Sequence, residues 1–564
     1  MNIFTKWKWW LPGLLLVQLG SCTKHDGKPD QEGVPTVTFS TGEYKVKVGK
    51  SIMLSPQVKN ADLPVYSWKM DGKIISRDVS YSFDGAQVGE YFVTLRVDAE
   101  NGSAEQQIKV TVMDKLPPQI NMPTNIVAYQ GKDNQIAAVV AYTDSVTKYT
   151  WRLNGTVVSG DSIYTLKPTV PGSSTLTLQV TNADGLDLKT MGLVVLAPQP
   201  PGLFFDDGHY RLPGDVLTRR LSVPLGKSLV LAPVIMNIPS VGTFAWTVDG
   251  AAQGSTSQYL TFTPQAKKTY HITVATSGVS AAVDVECVDA EGAFFRAPSA
   301  GSKPSVTNSF EYVPAPGQFT DYGTFSTAGQ ATQDIQNILD QGPGNTGFIA
   351  GLGAYGGYVI TGFDHSVSNV VGKADLIISG NEFTGWSEPG IVWVMQDENG
   401  NGLPDDTWYE LKGSESGKPE TRQRYAITYY KPTTLGADVL WVDNFGGTGS
   451  VDYNQYHLQP YYFPMFINAD SYTLTGTDLK STFKIDPATS YEVSPGYAWG
   501  YVDNLGDGSK VNFWLEDAIQ ADGTPANLKY IDFVKVQTGM TGKGVAVGEI
   551  STEFGAPYDL NLNH

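Results

Sequence analysis

"YSWKMDG", running from Tyr66 to Gly72, returns as "YTWRLNG" from Tyr149 to Gly155 and as "FAWTVDG" from Phe244 to Gly250. Each copy holds an aromatic residue, a polar or small residue, Trp, two spacers, Asp or Asn, and Gly. The tryptophans Trp68, Trp151 and Trp246 lie 83 and 95 residues apart. That interval is the size of one small β-sandwich. A Trp between alternating residues takes an inward-facing strand position, and Asp-Gly or Asn-Gly supplies the positive-φ pair of a hairpin turn. Alternating runs then follow at Tyr91–Val97, Ser174–Val180 and Tyr270–Ala275, the first two running into Asn101-Gly102 and Asp184-Gly185.

Short strands at regular spacing around one core Trp predict an immunoglobulin-like sandwich, here without its disulfide. The repeats resemble the PKD-like domains of bacterial surface proteins over about residues 35 to 290, and such modules most often act as spacers. The expected boundaries are 35–114, 115–199 and 200–290. Beyond Glu291 the repeat stops, and residues 291–564 turn richer in aromatics and glycine. One short helix is predicted at Ala331–Leu339, where Ile335, Ile338 and Leu339 share a face; the remainder alternates as strands. The predicted fold class is therefore all-β: three tandem immunoglobulin/PKD-like sandwiches followed by a larger jelly-roll-like β-sandwich.

The N-terminal end carries a different signal. Lys6 and Lys8 precede an apolar run from Trp9 to Leu19, followed by Gly20, Ser21 and Cys22. A short basic segment, an apolar core too short to span a bilayer and small residues before a cut site read as an export signal, residues 1–21. The cysteine after the small pair resembles the bacterial lipobox, which implies lipidation at Cys22 and an outer-membrane anchor. The polar stretch 22–34 suits a flexible tether. Cys22 and Cys287 are the two cysteines, so lipidation of the first leaves no intramolecular disulfide. Cys287 sits in the alternating run Val283–Val288 and reads as a small buried hydrophobe. A net charge of −18 disfavours nucleic acid as a partner.

The sharpest local motif is "DENGNGLPDD", Asp397 to Asp406. Asp397, Asn399 and Asn401 place three side-chain oxygens on one side of a tight loop, the Leu403 carbonyl can add a fourth and Asp405 a fifth. Hard cations want such a set, and the expected cofactor is structural calcium; Trp408 stands where an EF-hand would have Glu. Catalytic motifs are missing: the six histidines form no HExxH, and there is no G-x-S-x-G elbow. Asp364-His365 reads as a hydrogen-bonded turn. A glycosidase would need two carboxylates about 5–10 Å apart, which sequence does not place. The expectation is a binding protein and no enzyme.

Aromatics crowd the C-terminal block. Trp386, Trp441 and Trp499 stand beside Gly385, Asp443 and Gly500 and are the expected ligand-binding rings, with Tyr461 and Tyr462 as further candidates. Trp393, in mid-strand, and Trp514 are expected in the core. Loop aromatics suit sugar rings or large planar ligands equally.

"GFDHSVSNVVGKADLIISGNEF" (Gly362–Phe383), "EPGIVWVMQDENGNGLPDDTWYELKGSE" (Glu388–Glu415) and "GEISTEFGAPYDL" (Gly548–Leu560) resemble a C-terminal domain of Bacteroidetes cell-surface lipoproteins that also carry PKD-like repeats. The resemblance implies a place beside outer-membrane uptake systems for corrinoids, the vitamin B12 group, with a TonB-dependent outer-membrane transporter as partner. The chain has no Asp-x-His-x-x-Gly, so capture of a corrinoid would rest on aromatic and hydrogen-bonding contacts. The alternative is a glycan-binding or adhesive surface protein. Replacing Cys22 with Ala should release the protein from the membrane into the soluble periplasmic fraction, because the lipid is the anchor that the sequence offers; retention in the membrane fraction would reveal another.

Overall fold

Trp68, Trp151 and Trp246 are all buried to within 1% of complete, and each indole donates its Nε1 hydrogen to a carbonyl ten or eleven residues further on. The acceptors are Asp78, Asp161 and Ser257, at 2.8, 2.9 and 2.8 Å. The computed structural model describes residues 35–39, 42–59, 61–214, 218–320, 325–340, 350–382, 385–454, 459, 461–485, 492–504, 512–544 and 547–562. The export signal, Cys22 and the tether lie outside these residues.

All three repeats build the same five-stranded sheet. In the first, Glu43–Lys47 pairs in parallel with Gly102–Met113, which is followed across the sheet by Gly89–Ala99, Val65–Met70 and Lys73–Ser76. The order is repeated from Asn125–Tyr129 through Thr156–Ser159, and again from Arg219–Pro224 through Ala251–Ala252. The expected turns are present. Asp71-Gly72, Asn154-Gly155 and Asp249-Gly250 all have positive φ, from 48° to 84°. That geometry twists a two-residue hairpin correctly. Each sheet buries one face around its Trp, and truncating such a side chain to Ala costs about 3–5 kcal/mol. Cys287 is buried in the third of these cores.

The described residues divide into two compact units, one ending at Asp114 and one beginning at Lys115. The second unit holds two of the sandwiches and the whole C-terminal block. In that block we label β1 (Asn308–Val313), β2 (Tyr358–Ser368), β3 (Gly390–Met395), β4 (Trp408–Leu411), β5 (Arg422–Tyr430), β6 (Val439–Asp443), β7 (Thr448–Val451), β8 (Ser471–Asp478), β9 (Ala518–Ile519) and β10 (Tyr530–Thr538). One sheet runs β1-β2-β10-β3-β4-β9 and another β7-β6-β5-β8. Tyr358 and Ile360 of the first pack with Tyr425, Ile427, Tyr472 and Leu474 of the second, making a sandwich. The opposite face of the six-stranded sheet, with Val359, Val392 and Val534, is covered by a helix and loops.

That helix spans Ala328–Leu339 and buries Ala331, Ile335 and Leu339. It starts three residues earlier than its apolar spacing suggests, because Thr327 caps it by accepting the Gln330 N–H at 3.2 Å. A side-chain oxygen at that position satisfies a donor that the first helical turn leaves open. His365 departs from the turn expected of it. It is wholly buried in β2, its Nδ1 2.7 Å from an oxygen of Asp364 and its Nε2 3.0 Å from one of Asp559. A strand that reads as polar at this point is thus buried by pairing its polar groups.

Candidate ligand site on the inner sheet face

One cross-strand row on the inner face of the six-stranded sheet departs from an ordinary core. Following the register from edge to edge, Glu311 of β1 sits opposite Ile360, Ile360 opposite Lys535, Lys535 opposite Trp393, Trp393 opposite Glu410 and Glu410 opposite Ile519. Two carboxylates and an ammonium therefore share a row that would normally hold aliphatic side chains. Alternation along β4 puts Trp408 on the same face as Glu410.

Lys535 is 3% exposed. Its Nζ donates to the Gly208 carbonyl at 2.8 Å and lies 4.6 Å from the centre of the Tyr358 ring and 5.6 Å from that of Trp393. Burial pulls its pKa down, and Asp206, Glu311 and Asp207 oppose that pull. Glu410 takes a hydrogen bond from Thr477 Oγ1 at 2.5 Å, and burial pushes its pKa up to about 7. At the β1 end, Glu311 faces His209 Nδ1 and accepts from Tyr358 OH at 3.0 Å.

The opposing wall comes from the third sandwich. After Phe205 its chain leaves the sheet and runs along β8: Arg211 N–H donates to the Thr473 carbonyl at 3.1 Å and Thr473 N–H donates back at 2.8 Å. Asp206 accepts from Thr475 Oγ1 at 2.6 Å, and Asp207 pairs with Arg219 at 3.0 Å while burial raises its pKa. Gly208, at φ +87°, seats directly against the Trp408 indole, and a Cβ there would lie 2.3 Å from Cδ1. Only glycine allows the approach. Between this wall and the polar row lies a half-open cavity of about 140 Å³. Nε1 of Trp393, Nε1 of Trp408 and Oδ1 of Asp207, buried atoms of its lining residues, have no hydrogen-bond partner. The Tyr409 hydroxyl lacks one too, but its ring belongs to the core on the other face of the sheet.

None of the five aromatics expected to bind lines this cavity. Trp386 is buried with Met540 and Ile550, edge-on to Phe483; Gly385 beside it forms the turn that tucks the ring in. Tyr462 is a core residue, tilted against Tyr453 and accepting the Asn454 N–H at 3.1 Å. Trp441 is half-buried against the same core, over Gly449. Trp499 and Tyr461 are half-buried elsewhere. Trp393, expected in the core, is half-buried in the cavity wall, and Trp514 is half-buried as well. Strand alternation makes Trp393 inward-facing, and it both packs against the cluster of Ile391, Leu479, Tyr497 and Tyr501 and lines the cavity.

The Asp397 loop is closed by its own hydrogen bonds. Asp397 accepts from the N–H groups of Gly400 and Gly402 at 2.8 and 3.0 Å. Asn399 and Asn401 direct their side-chain amides at Asp405, at 3.2 and 3.0 Å, and Asn401 Oδ1 accepts the Leu403 N–H. The side chains named for calcium thus converge on one loop, with the two amides turned donor-side toward Asp405.

A family model described as a PKD-like domain matches residues 35–99. Among solved structures, the fibronectin(III)-like modules of Clostridium thermocellum CbhA are 21% identical, covering 28% of this chain and 94% of theirs, with a TM-score of 0.16. The I67–I69 fragment of titin is 13% identical over 45% of this chain and 95% of its own, TM-score 0.14. Extracellular domains 3–5 of Drosophila OTK are 12% identical over 44% and 95%, TM-score 0.17. At such scores these likenesses carry no argument about ligand or partner. No curated protein matches the chain. The chain is all-β, with tandem sandwiches of the PKD- and immunoglobulin-like kind.

Glu410 generates a pH prediction. Its folded pKa lies above its unfolded value, so between about pH 4.5 and 7 the native state holds a proton that the unfolded chain has released, and stability falls as pH rises. Glu410→Gln should flatten this slope by up to about 1.4 kcal/mol per pH unit. Urea unfolding at several pH values measures it; an unchanged slope would mean that Glu410 is ionised throughout.

Proposed function

We propose that this protein is a cell-surface binding protein that captures a small ligand in its C-terminal half. PKD- and immunoglobulin-like modules are common spacers and interaction elements of extracellular proteins. The observation that supports capture is the half-open cavity of about 140 Å³ between the third sandwich and the six-stranded sheet, whose lining includes Trp393, Trp408, Glu410 and Lys535. Concave sites lined by aromatic rings with a few polar groups are the usual form of small-ligand sites.

The finer reading draws on the C-terminal resemblance: a lipoprotein anchored through Cys22 in the outer membrane takes up a corrinoid and passes it to a TonB-dependent transporter. A cavity of about 140 Å³ does not enclose a corrin macrocycle, which would lie across its mouth with an appendage inside. The second reading, glycan binding, is favoured by that small volume. Calorimetry of the full chain with cyanocobalamin and with a glycan panel tests both. Saturable heat with either supports capture, and silence with both removes it.

Calcium in the Asp397 loop belongs to the same proposal, as a structural ion. Binding would require the Asn399 and Asn401 amides to turn their oxygens inward beside Asp405 and Asp397 to give up its Gly400 and Gly402 contacts. At a free concentration about 100 times the dissociation constant, calcium would stabilise the fold by about 2.7 kcal/mol. Chelator should lower the melting temperature, and the double variant Asp397→Ala, Asp405→Ala should no longer respond; a melting curve indifferent to chelator would count against the ion.

A further inference from the structure

We infer that the cavity between the third sandwich and the six-stranded sheet takes a small, neutral aromatic group, a single ring or a fused pair such as indole. The inference rests on the capture reading above and narrows its ligand class.

Charge decides first, because the charged side chains of the wall are already engaged within the protein. Asp206 accepts from Thr475, Glu410 accepts from Thr477 and Asp207 pairs with Arg219. The Lys535 ammonium donates to the Gly208 carbonyl, and the Arg424 guanidinium donates to the Ala521 carbonyl and to Tyr259 OH, both at 2.9 Å. Groups of both signs thus border the space, each with a partner of its own. A charged ligand would have to shed its water and draw one of these groups from that partner, with like charge standing close by. A neutral ligand meets neither cost.

The indoles decide next. Trp393 and Trp408 are half-buried, yet the Nε1 atom of each is shielded. Gly208 covers that edge of Trp408, where an added Cβ would lie 2.6 Å from Nε1. What the two indoles present to the cavity is therefore ring carbon. Ile519 extends the same wall, and the third sandwich contributes Phe205, Leu221 and Leu229. An apolar cavity of about 150 Å³ lined by such residues binds benzene, and this one measures about 140 Å³. Against indoles an aromatic ring has an advantage over an aliphatic ring of the same size, since offset or edge-to-face pairing adds to what burial gives. The hydroxyls of a sugar would lose their water here and find no donor on either indole to replace it. Gly208 against Trp408 and the Lys535 ammonium beside the Trp393 ring fix both indoles before a ligand arrives.

The test titrates the full chain by calorimetry with phenol and with indole, each up to about 10 mM, above the roughly millimolar Kd expected of so small a ligand. Cyclohexanol, an aliphatic ring of like size, is run beside them with glucose, succinate and inorganic phosphate. Phenol or indole should bind, and about threefold or more tightly than cyclohexanol. Trp393→Leu and Trp408→Leu should each weaken the aromatic about tenfold, and Phe at either position should bind it more tightly than Leu does. Trp514→Phe, away from the cavity, should leave the affinity unchanged. Melting curves accompany each variant, and the wild-type titration alone decides if a variant fails to fold. Silence with both aromatics overturns the inference, as does cyclohexanol binding equally well, or glucose, succinate or phosphate binding in their place. Aromatic binding that both Leu variants leave intact overturns it too. If cyanocobalamin or the glycan panel binds while the aromatics do not, the inference falls and the capture reading stands; if all are silent, both fall.

Discussion

An ammonium group inside a β-sandwich has to be solvated by protein, and the way Lys535 is solvated organises the second unit of this molecule. An isolated buried charge costs several kcal/mol even after relaxation, and it survives only where carbonyls, rings and opposite charges replace water. Here the carbonyl is that of Gly208 and the rings are Tyr358 and Trp393. Of the acids that favour its charge, Asp206 and Asp207 come from the third sandwich and Glu311 from β1. Removing the third sandwich would strip the lysine of its carbonyl and of two of those acids at once. The last PKD-like repeat is thus more than a spacer: it completes the interior of the C-terminal sheet.

The same constraint shapes the cavity. A row of Lys, Trp and Glu cannot interdigitate with a facing sheet as Val and Ile do, since flat rings and hydrogen-bonded head groups need particular separations. The chain from Phe205 to Arg211 answers this by bridging to β8 through the Arg211 and Thr473 backbones and the Asp206 and Thr475 side chains, with Gly208 seated on Trp408. What remains between the strap and the sheet is a space bounded by aromatic faces and bordered by charges. Similar links tie the second sandwich to its neighbours: Tyr129 OH donates to Asn237 of the third sandwich at 2.9 Å, and Asn125 donates to Asp438 of the C-terminal block at 2.9 Å. Binding residues held by a packed interior in this way are preorganised, which lowers the cost of ordering them around a ligand.

Local signals carried much of the architecture. Asp71-Gly72 and its two counterparts specify their turns through backbone sterics that act within four residues, and alternation around Trp68, Trp151 and Trp246 specifies which face is buried. Such signals failed where the partner was remote. Trp386 beside a glycine looks like a loop aromatic, yet its turn folds the ring onto Met540 and Ile550. Trp393 in an alternating run looks like core, and period two cannot tell a packed interior from a cavity wall. Glycine at 208 lies in "DDGHY", which reads as an ordinary polar loop. The one available hint was an unusually dense pair of acids followed by His209.

By itself, then, the sequence determined an all-β chain of repeated sandwiches, their hairpin turns and their core tryptophans. These follow from steric preference and hydrophobic period, which are properties of neighbouring residues. Only the tertiary structure decided which aromatics face a cavity, which carboxylates stand near Lys535 and which module supplies the opposite wall. Those depend on strand register and on contacts between residues more than three hundred positions apart, such as Gly208 with Lys535. No local preference reaches that far, and the cost of burying charge selects the arrangement.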